Sequence, residues 1–153
     1  MKRFILLLMI GTVAVSACKK ENKISRTNKP ISEAVLGTWY TTLEIHDYYN
    51  ANNEKVFSST VEPGWKYTIG ELFRIYDLQG QKKLQTTYSL NNLNGKDFFN
   101  YTQNSVPQGF EITSLEEETM RWTQEKLNVT YNDNGEKIAA REITTYEFHC
   151  PCK

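Results

Sequence analysis

The chain has 153 residues, with 18 Lys and Arg against 18 Asp and Glu. That length suits one domain with a single core, and a neutral balance without a basic stretch excludes a nucleic-acid partner. With two histidines, no Gly-x-Ser-x-Gly elbow and no glycine-rich phosphate loop, nothing in the pattern points to an enzyme.

Lys2 and Arg3 open the chain, followed by the apolar run Phe4 to Ile10 and the small-residue ending Val15-Ser16-Ala17-Cys18. A cationic start, an apolar middle and small residues before a cut form a secretory signal peptide. Lys19-Lys20-Glu21 ends the run too early for a membrane-spanning helix. Val-Ser-Ala-Cys resembles the lipobox of bacterial lipoproteins. That resemblance implies cleavage before Cys18, a diacylglycerol (palmitate-type) anchor on its thiol and acylation of the new amino group. An ordinary secretory leader is the alternative. In the lipoprotein family an Asp after the cysteine signals retention in the inner membrane. Lys19 is not Asp, so the resemblance implies the outer membrane. Lys20-Glu21 resembles the charged surface-export signals of Bacteroidetes lipoproteins, without their usual run of acids. Residues 1–17 are therefore expected to be the leader, 18–34 the lipidated cysteine and a flexible tether, and 35–153 the folded domain. Losing Lys2 and Arg3 leaves 16 basic against 18 acidic side chains.

Polar Lys19 to Ser32 reads as the tether, with a short helical turn over Ile31–Leu36, Ser32 as its cap and Gly37 as its stop. Beyond it, alternation predicts strand after strand. Trp39, Leu43 and Ile45 face one way; Tyr40, Thr42, Glu44 and His46 face the other. A weaker strand spans Val56 to Val61 and ends at Glu62-Pro63-Gly64. Trp65, Tyr67 and Ile69 alternate, and Leu72 to Asp77 is a further strand. Leu84, Thr86, Tyr88 and Leu90 form one strand leading to an Asn94-Gly95 hairpin and Phe98 to Tyr101. Gln103 to Gly109, holding Pro107, is expected to be a loop; Phe110, Ile112 and Ser114 then share a face. Glu116-Glu117-Glu118 is a solvated acidic turn rather than a metal site. Met120 and Trp122 share one parity and Leu127, Val129 and Tyr131 the other, so a bulge or bend is expected within Thr123 to Lys126. Asn132 to Gly135 turns the chain into Ile138–Phe148. About nine strand candidates at short spacing predict an all-β antiparallel sandwich or an up-and-down barrel.

Leu36-Gly37-Thr38-Trp39 resembles the G-x-W start of lipocalins and related bacterial lipocalin-like domains. Phe110 to Leu115, the three acids and Thr119 to Trp122 resemble a later strand-turn-strand of the same family, and Thr87 to Leu90 fits its middle. The long Thr119–Tyr131/Glu136–Phe148 hairpin departs from the pattern. The resemblance implies an up-and-down, lipocalin-like (calycin) barrel of about eight strands. In such a barrel the glycine permits a bend, the tryptophan plugs the closed end, and a cavity holds one small ligand.

Aromatic side chains on inward parities, Trp39, Trp65, Tyr67, Tyr88 and Trp122, are expected to line an apolar ligand site, together with Phe73, Phe110 and Tyr146. Packing of a solid core is the competing reading. His149-Cys150-Pro151-Cys152 offers a Cys150–Cys152 disulfide, a soft-metal or redox site, or two thiols on a frayed end; the disulfide is the expectation, and no metal or cofactor is expected. The sequence thus yields two functions: a lipid-anchored module binding a small apolar ligand, or an interaction lipoprotein whose barrel is filled and which meets an envelope partner.

Overall fold

A computed structural model describes residues 29–151. The leader, Cys18, most of the expected tether and Cys152 lie outside the described residues. Short helix α1 (Ile31–Ala34) precedes β1 (Gly37–Tyr49), β2 (Lys55–Val61), β3 (Lys66–Ile69), β4 (Phe73–Tyr76), β5 (Lys82–Thr86), β6 (Tyr88–Leu93), β7 (Lys96–Gln103), β8 (Val106–Leu115), β9 (Thr119–Asn132) and β10 (Glu136–His149). Pro30, rather than Ser32, precedes the helix, and no side chain caps it. Ile31 and Ala34 pack against the core, so the folded unit includes residues ahead of the expected boundary at 35.

All ladders are antiparallel, and the sheet runs β5-β4-β3-β1-β10-β9-β8-β7-β6, with β2 paired to β1 alone. Neighbours follow the chain except where β3 lies beside β1, on the same side as β2, and where β1 meets β10, which is up-and-down order closed by the first and last strands. The barrel is nearly closed, and its seam lies between β5 and β6. The expected single strand from Leu84 to Leu90 breaks there at Thr87, one half pairing with β4 and the other with β7. Tyr88 latches the seam by donating from its hydroxyl to the Gly70 carbonyl at 3.0 Å. The ten strands exceed the expected eight because of this break and the β2 excursion.

Bulges move the faces from where plain alternation puts them. The β1–β10 register shifts between Thr41 and Leu43, so Trp39, Thr41, Glu44, His46 and Tyr48 share the inner face and Leu43 and Ile45 turn outward. The β8–β9 register shifts between Ile112 and Ser114, which buries Leu115 in place of Ser114. The phase change in β9 falls at Asn128 rather than within Thr123–Lys126. Asn128 has φ +53°, a left-handed conformation that Asn tolerates, and its ladder pair with Ala140 is skipped. The expected loop at Gln103–Gly109 is a tight hairpin instead. Asn104 and Ser105 both have positive φ, and Pro107 is tolerated where β8 has only β7 beside it. The Asn94-Gly95 turn forms as expected, with φ +52° and +78°.

One apolar cluster fills the lower interior: Val35, Trp39, Tyr67, Ile69, Phe73, Ile75, Phe99, Phe110, Ile112, Leu115, Met120, Trp122, Phe148 and Cys150. At the floor, Gly37 bends the chain at φ +141°, and the Trp39 indole donates from Nε1 to the Val35 carbonyl at 2.8 Å. Trp39 is thereby a plug tied to the helix that covers it.

Candidate functional site

The inner faces of β1 and β10 change character along their length. Near the floor they carry Trp39 and Phe148; higher up they carry Glu44, His46 and Tyr48 opposite Tyr146, Thr144 and Glu142. The bulge at Thr42 creates this polar mouth, because without it Glu44 and His46 would point outward. His46 Nδ1 lies 2.7 Å from Glu142 Oε1, and Nε2 lies 3.1 Å from Glu44 Oε1. Thr144 Oγ1 is 3.5 Å from His46 Nδ1, and both Thr144 and Glu142 are buried. Carboxylate oxygens only accept. A ring that donates to both carboxylates at once is the imidazolium, and a neutral ring donates to one.

Tyrosines complete the mouth. Burial holds the Tyr146 phenol far above its ordinary value, and the Glu44 carboxylate adds to the effect. Burial and then Glu142 raise the Tyr48 phenol. Tyr101 is pushed up to about 12 by burial. Above the network, Tyr48 stacks on Tyr131 with centroids 4.7 Å apart, and Phe57 on Tyr131 at 5.3 Å. The arrangement supplies hydrogen bonds and negative charge to whatever enters the mouth. No group of three or more His, Cys, Asp or Glu among the described residues is placed to hold a metal ion.

The structure brings four of the five expected ligand residues into or against one cluster. Trp39 and Tyr67 are register partners at the floor. Trp122 stands at the centre, 1% exposed, with the rings of Tyr67, Phe73, Phe99, Phe110 and Phe148 at centroid distances of 6.2, 6.4, 4.7, 5.6 and 4.8 Å. Tyr88 joins by stacking on Phe99 at 4.8 Å. Trp65 lies apart. It precedes β3 and is 39% exposed, its backbone clamped by Thr41, whose Oγ1 accepts from the Trp65 N–H at 2.9 Å and donates to its carbonyl at 3.2 Å. Phe73, Phe110 and Tyr146 face inward as expected. Cys150 is buried at the floor with its backbone N–H on the Glu118 carbonyl, His149 is exposed, and Cys152 lies outside the described residues.

The Glu44–His46–Glu142 network was not among the expected sites. Its signal was present as two strands with polar residues at alternate positions, Glu44-x-His46 and Glu142-x-Thr144-x-Tyr146. Where β8 and β9 part, Phe98, Glu111, Gln124 and Ile143 line an open cleft of about 560 Å³. Comparison with known protein families, characterised proteins and solved structures finds no match.

Proposed function

We propose that the protein is a lipid-anchored envelope lipoprotein, held at the outer membrane through Cys18, whose lipocalin-like barrel is an interaction module rather than a carrier of apolar cargo. The observation that supports the interaction reading is the position of Trp122. A carrier needs empty volume where its ligand would lie, and five aromatic rings meet the indole there. The anchor rests on the leader and the Val15-Ser16-Ala17-Cys18 ending. Two or three acyl chains hold a protein on a membrane where one binds marginally. Fractionation tests the anchor: the parent chain stays with membranes through a carbonate wash and Cys18→Ala is released. Retention of Cys18→Ala would place the anchor elsewhere.

The partial exposure of Glu44 and His46, 22% and 23% for their side chains, favours a second reading in which a ligand binds at the mouth. Such a ligand would be polar or cationic, matched to carboxylates and phenols rather than to an oily cavity. A role without catalysis fits both readings. Cys150 and Cys152 are proposed to pair as a disulfide in the oxidising envelope. Mass spectrometry after alkylation with and without reductant tests this, and two alkylated thiols without reductant would reject it.

A further inference from the structure

The described sheet leaves one edge without a ladder on β2, β5, β6 and the outer halves of β8 and β9. Unpaired edges are templates for pairing, and proteins blunt them with charge, proline or cover. β5 carries Lys82 and Lys83, β8 carries Pro107, and β9 beyond Thr123 carries Glu125 and Lys126. β6 is tied at its start by Tyr88. β2 has none of these after Lys55: Val56-Phe57-Ser58-Ser59-Thr60-Val61 is uncharged and lacks proline and glycine. Val56 and Val61 are 44% and 51% exposed.

We propose that β2 is the contact strand of a homodimer, pairing antiparallel with β2 of a second copy about a two-fold axis through Ser59. The strand's self-complementarity favours this occupant: Lys55 and Glu62 flank it with opposite charges, and Phe57 and Val61 share one face. Its ladder to β1 is regular from Phe57 to Val61 and breaks at Val56. A two-fold axis normal to a sheet keeps each face on its own side, so facing residues share parity and the axis passes through a residue. Only an axis at Ser59 pairs the whole regular stretch: Ser59 with its copy, Ser58 with Thr60, and Phe57 with Val61. An axis at Ser58 would set Glu54 against Glu62, and one at Thr60 would set Phe57 against Pro63. With the axis at Ser59, Lys55 and Glu62 of the second copy lie one residue apart at each end, as opposite charges.

On the inner face, Val61 of the second copy covers the edge of Phe57, extending the stack of Phe57, Tyr48 and Tyr131. Hydroxyl pairs and aromatic–β-branched pairs across strands are stabilising. The result joins β9, β10, β1 and β2 of both copies into one sheet. The inference deepens the interaction reading and does not require the lipid anchor.

The test combines sedimentation of the purified full chain with cysteine cross-linking. The parent is expected to show a concentration-dependent doubling of mass. Ser59→Cys is expected to cross-link to a dimer under mild oxidation beyond the parent's background, because residues facing each other across strands hold Cβ atoms about 5 Å apart. Ser58→Cys, which faces Thr60, is expected to remain at background. Ser59→Lys, with two ammonium groups face to face, is expected to lose the dimer while its circular dichroism stays that of the parent. A monomer at every concentration, a dimer that survives Ser59→Lys, or equal cross-linking through positions 58 and 59 would each overturn the pairing. The filled-barrel reading has its own readout in dye binding and would stand apart from that failure.

Discussion

His46 Nδ1 lies 2.7 Å from Glu142 Oε1, although 96 residues separate them in the chain. A single extra residue at Thr42 turns His46 inward to meet a carboxylate buried on β10. Replacing His46 with Leu leaves Glu142 buried without this partner. The expected loss in urea unfolding is about 1–3 kcal/mol, the cost of an unmet buried acceptor. Glu142→Gln added to His46→Leu is expected to recover part of the loss, since a neutral amide is less costly to bury than a carboxylate. Equal stability of parent and His46→Leu would remove the network from the barrel's energetics.

The three tryptophans separate by surroundings. Trp39→Ala and Trp122→Ala are each expected to cost about 3–5 kcal/mol, as large buried aromatics. Trp65→Ala, on the surface, is expected to stay within about 1 kcal/mol. Conversion to Phe distinguishes the buried pair. Trp39→Phe also loses the indole bond to Val35, whereas the Trp122 Nε1 has no partner among the described residues. Trp122→Phe is therefore expected to be the milder change by about 1 kcal/mol. Equal losses would show that the Trp39 bond contributes nothing net.

The fold class was legible in the sequence, since hairpin turns such as Asn94-Gly95 and short alternating runs act locally. The inward set was legible only up to the first bulge. Parity assigned Trp39 correctly but put Leu43 and Ile45 beside it, because nothing in Thr41-Thr42 announces an extra residue. The same limit hides the mouth: plain alternation puts Glu44 and His46 on the face opposite Trp39, whereas the bulge turns them inward. Alternation with Tyr67 also points Trp65 inward, but Thr41 grips its backbone just before β3 and the residue stays 39% exposed, apart from the cluster around Trp122. That contact spans 24 residues and has no local signature.

At Asn128 the backbone sits at φ +53°. Asn128→Gly is expected to leave stability within about 0.5 kcal/mol of the parent, because glycine adopts this conformation freely. Asn128→Val is expected to lose roughly 1–2 kcal/mol through the clash of its Cβ with the following carbonyl. Equal behaviour of the two would show that the strand's change of face does not depend on this residue.

The buried phenols give the barrel an alkaline limit. Unfolded tyrosine ionises near 10. In the fold, burial pushes Tyr101 up to about 12 and holds Tyr67 and Tyr146 higher still. The unfolded chain then releases protons that the folded chain keeps. Stability is fully present below pH 10 and is lost as pH rises through 12. Tyrosinate absorbance is expected to rise in two stages, the second coinciding with unfolding. One stage near pH 10 with the fold intact would contradict the burial of these rings.

Side chains occupy the interior around Trp122. Titration of the purified protein with an apolar fluorescent dye, following both dye emission and tryptophan fluorescence, is the sharpest check of this packing. No saturable binding is expected, and no change in the emission of the buried tryptophans. Saturable binding of about one dye per protein, with a matching shift in tryptophan emission that Trp122→Phe alters, would contradict it and restore a cavity at the barrel's centre.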